Sequence, residues 1–363
     1  MADKIVLAGN IIVDNVKTIT AWPEKGMLVP ITALKRSPGG AVPNSGIDLK
    51  KLDPTVEVSA VGKVGADDAG DFVTAFMRER GLDVSGVQRV EGVPTSFTDV
   101  MTLAETGERT FFNMHGADSR LVPEDIDPAA LGCDLFHLGY LLLLDGLDAA
   151  DDEYGTKAAR LLAKVQAAGI KTSLDIVSEQ SDRFARIVRP ALKHCDYVVI
   201  NEVEGSRATG LPATDAAGRP SVDGLWRICE ALFGLGVKEQ VVVHCPDQSV
   251  SLDRAGHFSA LPSLDLPKGW IKGSVGAGDA FCAGMLYSFL RDMPPEEGMR
   301  LASCAAAMNL AATDSVSGAK RVRLPGFCAD RRPPGGRGTV FHPTEEALRR
   351  GAELLRLSGS GCR

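Results

Sequence analysis

The sequence predicts an α/β fold in which a mostly parallel central sheet is covered by helices on both faces and accompanied by a β-hairpin. Two observations indicate this. Short apolar runs alternate with amphipathic helical segments along most of the 363 residues, whereas one region near residue 100 alternates residue types with a period of two. Strands that alternate with helices favour parallel pairing, and such sheets bind ligands at the carboxyl ends of their strands.

The predicted strands of the main sheet are short apolar runs of the kind that parallel sheets bury. They cover Lys4–Val13, Val56–Val61, Asp134–Leu138, Ile170–Asp175, Asp196–Ile200 and Gln240–His244. The helices between them carry apolar residues at three- and four-residue spacing. They cover Asp67–Arg80, Asp151–Ala168, Asp182–Leu192 and Val222–Phe233. Gly81 and Gly169 follow two of these segments and are typical helix stops.

A hairpin is predicted near residue 100. Thr95–Leu103 alternates residue types with a period of two, and Arg109–Met114 follows across a turn at Glu105–Glu108. The hairpin belongs either to a separate small sheet or to an antiparallel edge of the main sheet.

Composition is that of a globular protein, with 44% hydrophobic and 24% charged residues. The net charge of −7 provides no basic surface for nucleic acid. No apolar run approaches the roughly 18 residues that a membrane span needs, and the N-terminus lacks the pattern of a signal peptide. The eight cysteines are scattered without a CxxC pair. We therefore expect reduced thiols and a cytoplasmic protein that does not bind membranes.

A glycine-rich loop precedes an apolar helical stretch that runs to about Leu290. Gly273, Gly276 and Gly278 lie in this loop, and Asp279 falls in the first turn of the helix. Glycines let backbone N–H groups converge, and a helix N-terminus adds partial positive charge. The pattern predicts an anion hole beside a carboxylate that can accept a proton. The plainer interpretation is an acidic residue that favours a helix start.

Two motifs resemble those of a known family. Gly276-Ala-Gly-Asp-Ala-Phe281 resembles the C-terminal signature of the ribokinase-like (PfkB) carbohydrate kinases, and Gly39-Gly-Ala-Val-Pro-Asn44 resembles their N-terminal signature. The motifs occur in the family's order, and the resemblance covers about residues 1–319. It implies a ribokinase-like three-layer fold.

The resemblance also implies a division of the chain into a core and a lid. The α/β kinase core would comprise residues 1–14, 38–91 and 116–319, and a small β lid would comprise residues 15–37 and 92–115. Residues 320–363 match nothing in the family. They hold ten basic and four acidic side chains, and they predict a basic C-terminal extension with a terminal helix.

The family's catalytic base is the aspartate of the C-terminal motif, which is Asp279 here. The glycine run of that motif holds the transferring phosphoryl group, which assigns the anion hole to Gly276, Ala277 and Gly278. We expect Asp279 to be ionised at neutral pH with an ordinary carboxylate pKa.

The resemblance assigns binding of the phosphoryl acceptor to Asp14, Gly40 and Asn44, which match family positions facing the sugar. A carboxylate can accept hydrogen bonds from two sugar hydroxyls, and an amide can both donate and accept. Each residue also has a plainer interpretation. Asp14 is a common type of residue at a strand end, and Asn44 would lie near the N-cap of a helix.

The resemblance assigns nucleotide binding to Asn201 and His244 together with Gly276 and Gly278. Asn201-Glu-Val-Glu204 matches an Asn-x-x-Glu motif whose glutamate helps to set magnesium through water in relatives. Asn201 can cap the following helix at the same time. The segment from His244 departs from the family's glycine-containing turn, so only its general location is carried over.

Asp175 and Arg183 are further candidates for the site, because both lie at the carboxyl edge of the predicted sheet. The resemblance implies an ATP- and Mg²⁺-dependent kinase that phosphorylates a primary hydroxyl of a sugar or sugar acid. Fructose, ribose and 2-keto-3-deoxygluconate are all open as acceptors, and relatives suggest a homodimer through the lids. A nucleoside kinase of the same fold and a catalytically idle binding protein are the alternatives. A NAD-dependent oxidoreductase is disfavoured, because Gly9–Asp14 lacks G-x-G-x-x-G.

Overall fold

The computed structural model of the protein describes residues 3–321. The predicted terminal helix and nearly all of the basic extension at residues 320–363 lie outside the described residues. The strands within the described range are β1 (Lys4–Gly9), β2 (Ile12–Ile19), β3 (Ile31–Gly39), β4 (Glu57–Gly65), β5 (Asp83–Val90), β6 (Phe97–Leu103), β7 (Arg109–Met114), β8 (Leu135–Leu141), β9 (Ala150–Asp151), β10 (Gly155–Thr156), β11 (Lys171–Ile176), β12 (Tyr197–Asn201), β13 (Gln240–His244), β14 (Gln248–Asp253) and β15 (Phe258–Pro262).

Five of the ten α-helices of this range directly follow a strand of the main sheet. Over the same range they are α1 (Ala41–Leu52), α2 (Asp68–Glu79), α3 (Pro128–Leu131), α4 (Asp145–Asp148), α5 (Lys157–Ala167), α6 (Phe184–Leu192), α7 (Glu202–Thr209), α8 (Val222–Gly234), α9 (Ala277–Leu290) and α10 (Pro295–Asn309). Two 3₁₀ helices cover Ala117–Arg120 and Pro123–Asp125.

The main sheet is mostly parallel, as predicted. Its nine strands within residues 3–321 have the order β15-β14-β13-β12-β11-β8-β1-β4-β5. The seven strands from β5 to β13 pair in parallel, and β14 and β15 add an antiparallel edge. The predicted α/β fold is therefore confirmed.

The small sheet is separate from the main sheet and has the order β3-β2-β6-β7. Strands β6 and β7 form the predicted antiparallel hairpin, and β6 lies parallel to β2. The hairpin is therefore not an edge of the main sheet.

The prediction of one continuous strand at Lys4–Val13 is wrong, because the chain leaves the main sheet after Gly9. Gly9 has a φ of +136°, and a Cβ there would lie 1.5 Å from the carbonyl oxygen of Gly139. Only glycine fits this approach. The chain then enters β2 of the small sheet, so an apolar run that looks continuous serves two sheets.

The helix predicted over Asp151–Ala168 begins six residues later than expected. Thr156 is its N-cap, and its hydroxyl accepts a hydrogen bond from the N–H of Ala159 at 3.2 Å. The residues before it form the short antiparallel pair β9–β10. A local cap and hairpin thus replace the first predicted turns.

Two hydrophobic cores lie on opposite faces of the main sheet. Alternate residues of β1 divide between them, since Val6 and Ala8 belong to one core and Ile5 and Leu7 to the other. Helices α5, α6 and α8 cover the first core, and α1, α2, α9 and α10 cover the second. This produces three layers.

Helix α9 is buried on nearly all sides. Ten of its fourteen residues are buried, and it packs against α1, α10 and β12. Gly284 permits the close approach of α10, because a Cβ at this position would lie 2.5 Å from Cα of Ala302. The helix is therefore fixed relative to the sheet, and its N-terminus is fixed with it.

Replacing Gly284 by alanine is expected to destabilise the protein by about 1–3 kcal/mol, because the added methyl group overpacks the α9–α10 contact. Gly234 is a matched control, since it ends α8 and a Cβ there would meet no atom within 4 Å. Gly234→Ala should be neutral or stabilising by up to about 1 kcal/mol. Urea unfolding followed by circular dichroism measures both. Equal stabilities for the two variants would show that the close contact is absent.

Candidate active site

The carboxylate of Asp279 lies in the first turn of α9 and is buried, with 6% of the residue exposed. The side-chain amide of Asn44 donates to its Oδ2 at 3.0 Å. The hydroxyl of Tyr140 donates to Oδ1. Two donors from α1 and from the end of β8 therefore hold this carboxylate in one orientation.

The loop before α9 needs glycine at its last position. Gly276 is the N-cap residue with a φ of +76°, and a Cβ there would lie 2.5 Å from the carbonyl oxygen of Ser315. The Ala277 N–H makes only a long hydrogen bond, 3.4 Å, to the Ser274 carbonyl. N–H groups in a first helical turn lack intrahelical acceptors. Gly278 and its neighbours can therefore offer donors to an anion.

Burial raises the pKa of Asp279 to about 6, and the hydrogen bonds from Tyr140 and Asn44 act in the opposite direction. The expectation of an ordinary carboxylate pKa is therefore wrong, because the sequence did not reveal how completely the side chain is desolvated. The group remains mostly ionised at pH 7, and it is more basic than a surface aspartate.

Gly40 and Asn44 lie at the start of α1. Gly40 is the N-cap residue with a φ of +89°, and a Cβ there would lie 2.6 Å from the carbonyl oxygen of Asn10. Asn44 is the fourth residue of α1, so it does not cap this helix. Its amide instead reaches Asp279, and its Oδ1 is buried without a hydrogen-bond partner among the described residues.

Asp14 brings a second acid to the same site from β2. It is buried, and its pKa is raised to about 7, first by burial and then by the charge of Asp279, while Arg109 acts in the opposite direction. A Cβ on Gly39 would lie 2.5 Å from Oδ1 of Asp14, so the glycine leaves room for this carboxylate. Asp14, Asn44 and Asp279 are therefore brought together.

Arg109, at the start of β7, was not identified from the sequence. Its guanidinium donates to the carbonyl of Thr313 at 3.2 Å and lies 3.2 Å from where a Cβ of Gly273 would be. It makes no ion pair within residues 3–321. The small sheet thus places a cation against the glycine loop. A basic residue after a hairpin turn has no distinctive signal in the sequence.

Tyr140 and Asn10 were also missed. Asn10 accepts a hydrogen bond from the Tyr140 N–H at 2.5 Å and donates to the buried carboxylate of Asp118 at 2.9 Å. This network fixes the backbone that carries the tyrosine hydroxyl. Asn10 and Tyr140 lie 130 residues apart in sequence, so no local pattern reveals their contact.

Asn201 and Glu204 form a reciprocal cap at the start of α7. Oδ1 of Asn201 accepts from the N–H of Glu204 at 2.9 Å, and Oε2 of Glu204 accepts from the N–H of Asn201 at 2.9 Å. Ser178 donates to Oε1 of Glu204 at 2.8 Å. Burial raises the pKa of Glu204 to about 7. The capping interpretation is correct for Asn201 and leaves a second role open.

His244 ends β13 and pairs in register with Asn201 on β12. Its ring packs on Phe281 of α9 at 4.6 Å between centroids, and burial lowers its pKa to about 4. A Cβ on Gly278 would lie 3.8 Å from the His244 ring. Asn201, His244 and Gly278 therefore lie at the same end of the sheet.

Asp175 is the penultimate residue of β11, at the same end of the sheet. Burial raises its pKa well above the usual range, and the charges of Glu204 and Asp279 raise it further. Its carboxylate and donor atoms of His137 and Cys282 lie within 4.8 Å of one another. Magnesium prefers oxygen ligands, so the thiol and imidazole do not suit it, whereas the neighbouring carboxylates of Asp175 and Glu204 do.

Arg183 is not brought to the site. Its guanidinium donates to Glu179 at 2.6 Å and to the carbonyl of Leu142 at 2.8 Å. These partners account for it as a structural residue at the start of α6.

Comparison with known proteins identifies the class. The model of the pfkB family carbohydrate kinases matches residues 2–320. The chain therefore belongs to this family and is a carbohydrate kinase, as the two motifs predicted.

Relatives of several specificities resemble the chain. It is 26% identical to Fructokinase-1 of Zea mays over 296 residues. This match covers 79% of the present chain and 83% of the relative. It is 24% identical over 287 residues to a 5-dehydro-2-deoxygluconokinase of Clostridium perfringens, covering 77% and 79%. An Arabidopsis thaliana ribokinase complexed with ribose and ATP shares the fold, with a TM-score of 0.73 at 20% identity over 88% of this chain and 96% of that one. Within residues 3–321, none of the helices has the length and apolar composition of a membrane span.

The carboxylate environment predicts the pH dependence of the kinase. If Asp279 must be ionised, kcat/KM should fall as the pH drops through about 6. Tyr140→Phe removes a hydrogen bond that lowers this pKa, so the acid limb should move to higher pH by about one unit or more. Tyr287→Phe is the control. Tyr287 lies on α9 together with Asp279, but its hydroxyl donates to Asp53 instead. An acid limb that stays in place in Tyr140→Phe would exclude the hydrogen bond as a determinant.

Proposed function

We propose that the protein transfers the γ-phosphoryl group of ATP to a primary hydroxyl of a sugar or sugar acid. The observation that supports this best is the buried carboxylate of Asp279, which two donors hold beside a glycine-rich helix start and opposite the second acid, Asp14. A proton acceptor and an anion-binding N-terminus are thus adjacent.

Asp279 takes the proton of the acceptor hydroxyl as its oxygen attacks the γ-phosphorus and the bond to ADP breaks. A base with a pKa near 6 is well matched to this task at neutral pH. The N–H groups of Gly276, Ala277 and Gly278 stabilise the charge on the phosphoryl oxygens.

The acceptor lies between the small sheet and α1 in this proposal. Asp14 accepts hydrogen bonds from its hydroxyls, Gly40 allows it to approach the backbone, and the amide of Asn44 contacts it beside Asp279. Polar groups that converge in this way favour a ligand with several hydroxyls.

ATP lies along the ends of β12 and β13, where Asn201 and His244 pair in register and the His244 ring lies beside Gly278. Gly276 and Gly278 bind its phosphates in this proposal. Magnesium bound with ATP supplies positive charge that offsets the phosphates. Glu204, whose oxygens already accept hydrogen bonds, would hold it through water, with Asp175 beside it. The crowding of these acids supports a cation there, since the charge of Glu204 raises the pKa of Asp175.

We assign the lid role to residues 15–37 and 92–115 and the kinase core to residues 1–14, 38–91 and 116–319. Two contacts join the small sheet to the loop beside Gly276. Lys35 forms an ion pair with Asp314 at 2.7 Å, and Arg109 donates to the carbonyl of Thr313. A lid that touches this loop can exclude water from the transferring group.

The identity of the phosphoryl acceptor is tested with a panel of fructose, ribose, sugar acids and nucleosides, and ADP formation is the readout. A sugar or sugar acid should be turned over with the highest kcat/KM. Preference for a nucleoside would support the alternative kinase of the same fold, and no turnover with any acceptor despite ATP binding would support an idle relative.

Asp279→Asn should lower kcat by roughly 10²–10⁴-fold while ATP binding persists, because a positioned base contributes about this much. Asp68→Asn is a matched control, since Asp68 is exposed in the first turn of α2. Steady-state assays and calorimetric ATP titration measure the two effects. Turnover of Asp279→Asn within a few-fold of the wild type would reject the assignment of the base.

We also propose that two copies associate through the small sheets. Leu34 and Phe112 are 67% and 53% exposed, and strand alternation places both on the face opposite Asp14. Exposed apolar groups on one sheet face favour association.

The double variant Leu34→Glu with Phe112→Glu should convert a dimer to a monomer in sedimentation velocity. Val222→Glu is the control, because this exposed valine lies on α8, outside the small sheet. A monomeric wild type at micromolar concentration would disprove the association.

A further inference from the structure

Helix α1 carries an acid that neither the sequence motifs nor the proposed chemistry uses. Asp48 is completely buried, and neither oxygen of its carboxyl group has a hydrogen-bond partner among the described residues. One turn earlier, Oδ1 of Asn44 is also buried and unpaired. Three buried acceptor atoms thus lie on two residues of one helix and lack a donor. Such atoms are costly unless a donor is supplied.

The two side chains are neighbours by helix geometry. Residues four positions apart on a helix lie about 5–6 Å apart at Cβ, and helical side chains tilt toward the N-terminus. The Asp48 carboxyl group therefore lies over the turn that contains Asn44. Asn44 in turn donates through Nδ2 to Asp279 at 3.0 Å. The three residues form a row from α1 to the start of α9.

The burial of Asp48 favours its neutral form. Burial raises its pKa well above the usual range, and the charges of Asp279 on α9 and Asp314 in the following loop raise it further. Lys51 on the same helix acts in the opposite direction, but its ammonium group donates to the carbonyl of Val316. Within residues 3–321, no ion pair joins Lys51 to Asp48. A neutral carboxyl group carries one O–H, which can donate to the unpaired Oδ1 of Asn44.

We propose that Asp48 is a positioning residue whose protonated carboxyl group donates a hydrogen bond to Oδ1 of Asn44. This bond fixes which end of the Asn44 amide faces Asp279, so that Nδ2 and not Oδ1 meets the carboxylate. The carbonyl oxygen of Asn44 keeps a second lone pair, which can accept a hydrogen bond from a hydroxyl of the sugar or sugar acid. The inference rests on the proposed role of Asp279 as the base, because its effect on turnover passes through that carboxylate.

Two substitutions of similar size separate the hydrogen bond from the charge. Asp48→Asn keeps a donor that can reach Oδ1 of Asn44, so kcat should stay within about threefold of the wild type. Asp48→Leu removes every polar atom while filling the space, so kcat should fall by about tenfold or more. Its acid limb should also move to higher pH, because a freely rotating Asn44 no longer supports ionised Asp279. Asp14, Asp175 and Tyr140 also face Asp279 and remain unchanged in both variants.

A double-mutant cycle tests the route of the effect. In an Asn44→Ala background, Asp48→Leu should change neither kcat nor the acid limb further, since the residue through which it acts is absent. If the loss in the double variant equals the sum of the losses in Asn44→Ala and Asp48→Leu, the proposal is overturned. So would a folded Asp48→Asn that is as impaired as Asp48→Leu, because the charge would then be the active feature.

The outcomes also distinguish this inference from the proposed function. If Asp279→Asn retains turnover, the base assignment fails and Asp48 loses its proposed target. If Asp279→Asn is inactive but Asp48→Leu matches the wild type in kcat and acid limb, only the inference about Asp48 is overturned. Calorimetric ATP titration and thermal unfolding of each variant confirm that binding and folding are retained. The predicted pattern is loss in Asp48→Leu with rescue in Asp48→Asn.

Discussion

The desolvation of one carboxylate determines the rest of this site. Asp279 is withdrawn from water at the end of a helix that is itself enclosed by α1, α10 and the main sheet. An ionised carboxylate in that position needs compensation, and two donors together with the helix N-terminus provide it. Each donor comes from a different part of the fold. The geometry of this carboxylate therefore depends on the packing of the whole core.

The same burial explains why the site is crowded with acids of raised pKa. Asp14 approaches from the small sheet, Asp175 from the carboxyl end of β11 and Glu204 from the first turn of α7. Each charge disfavours ionisation of its neighbours. A folded protein retains such a cluster at a cost in stability, and cations or hydroxyl groups of ligands can relieve it. In the proposed function, Asp175 and Glu204 lie on the nucleotide side and Asp14 lies on the acceptor side.

Much of the fold was predictable because parallel strands are continuous apolar runs and their helices have clear caps. The glycine motifs were also predictable, since Gly40 and Gly276 adopt positive φ beside another backbone segment. The break at Gly9 was not, because its cause is the carbonyl of Gly139, far along the chain. Tyr140 and Arg109 were missed for the same reason. A residue that reaches the site only through tertiary contacts leaves no local pattern.

Burial makes Asp279 an unusually basic carboxylate that is nevertheless ionised at neutral pH. Its titration can be observed directly with ¹³C-labelled aspartate, using the carboxyl resonance that disappears in Asp279→Asn as the assignment. The account predicts a midpoint near pH 6 for the ligand-free protein. A midpoint near the ordinary value of 3.8 would contradict it, because the carboxylate would then be solvated and the site would not be built as described.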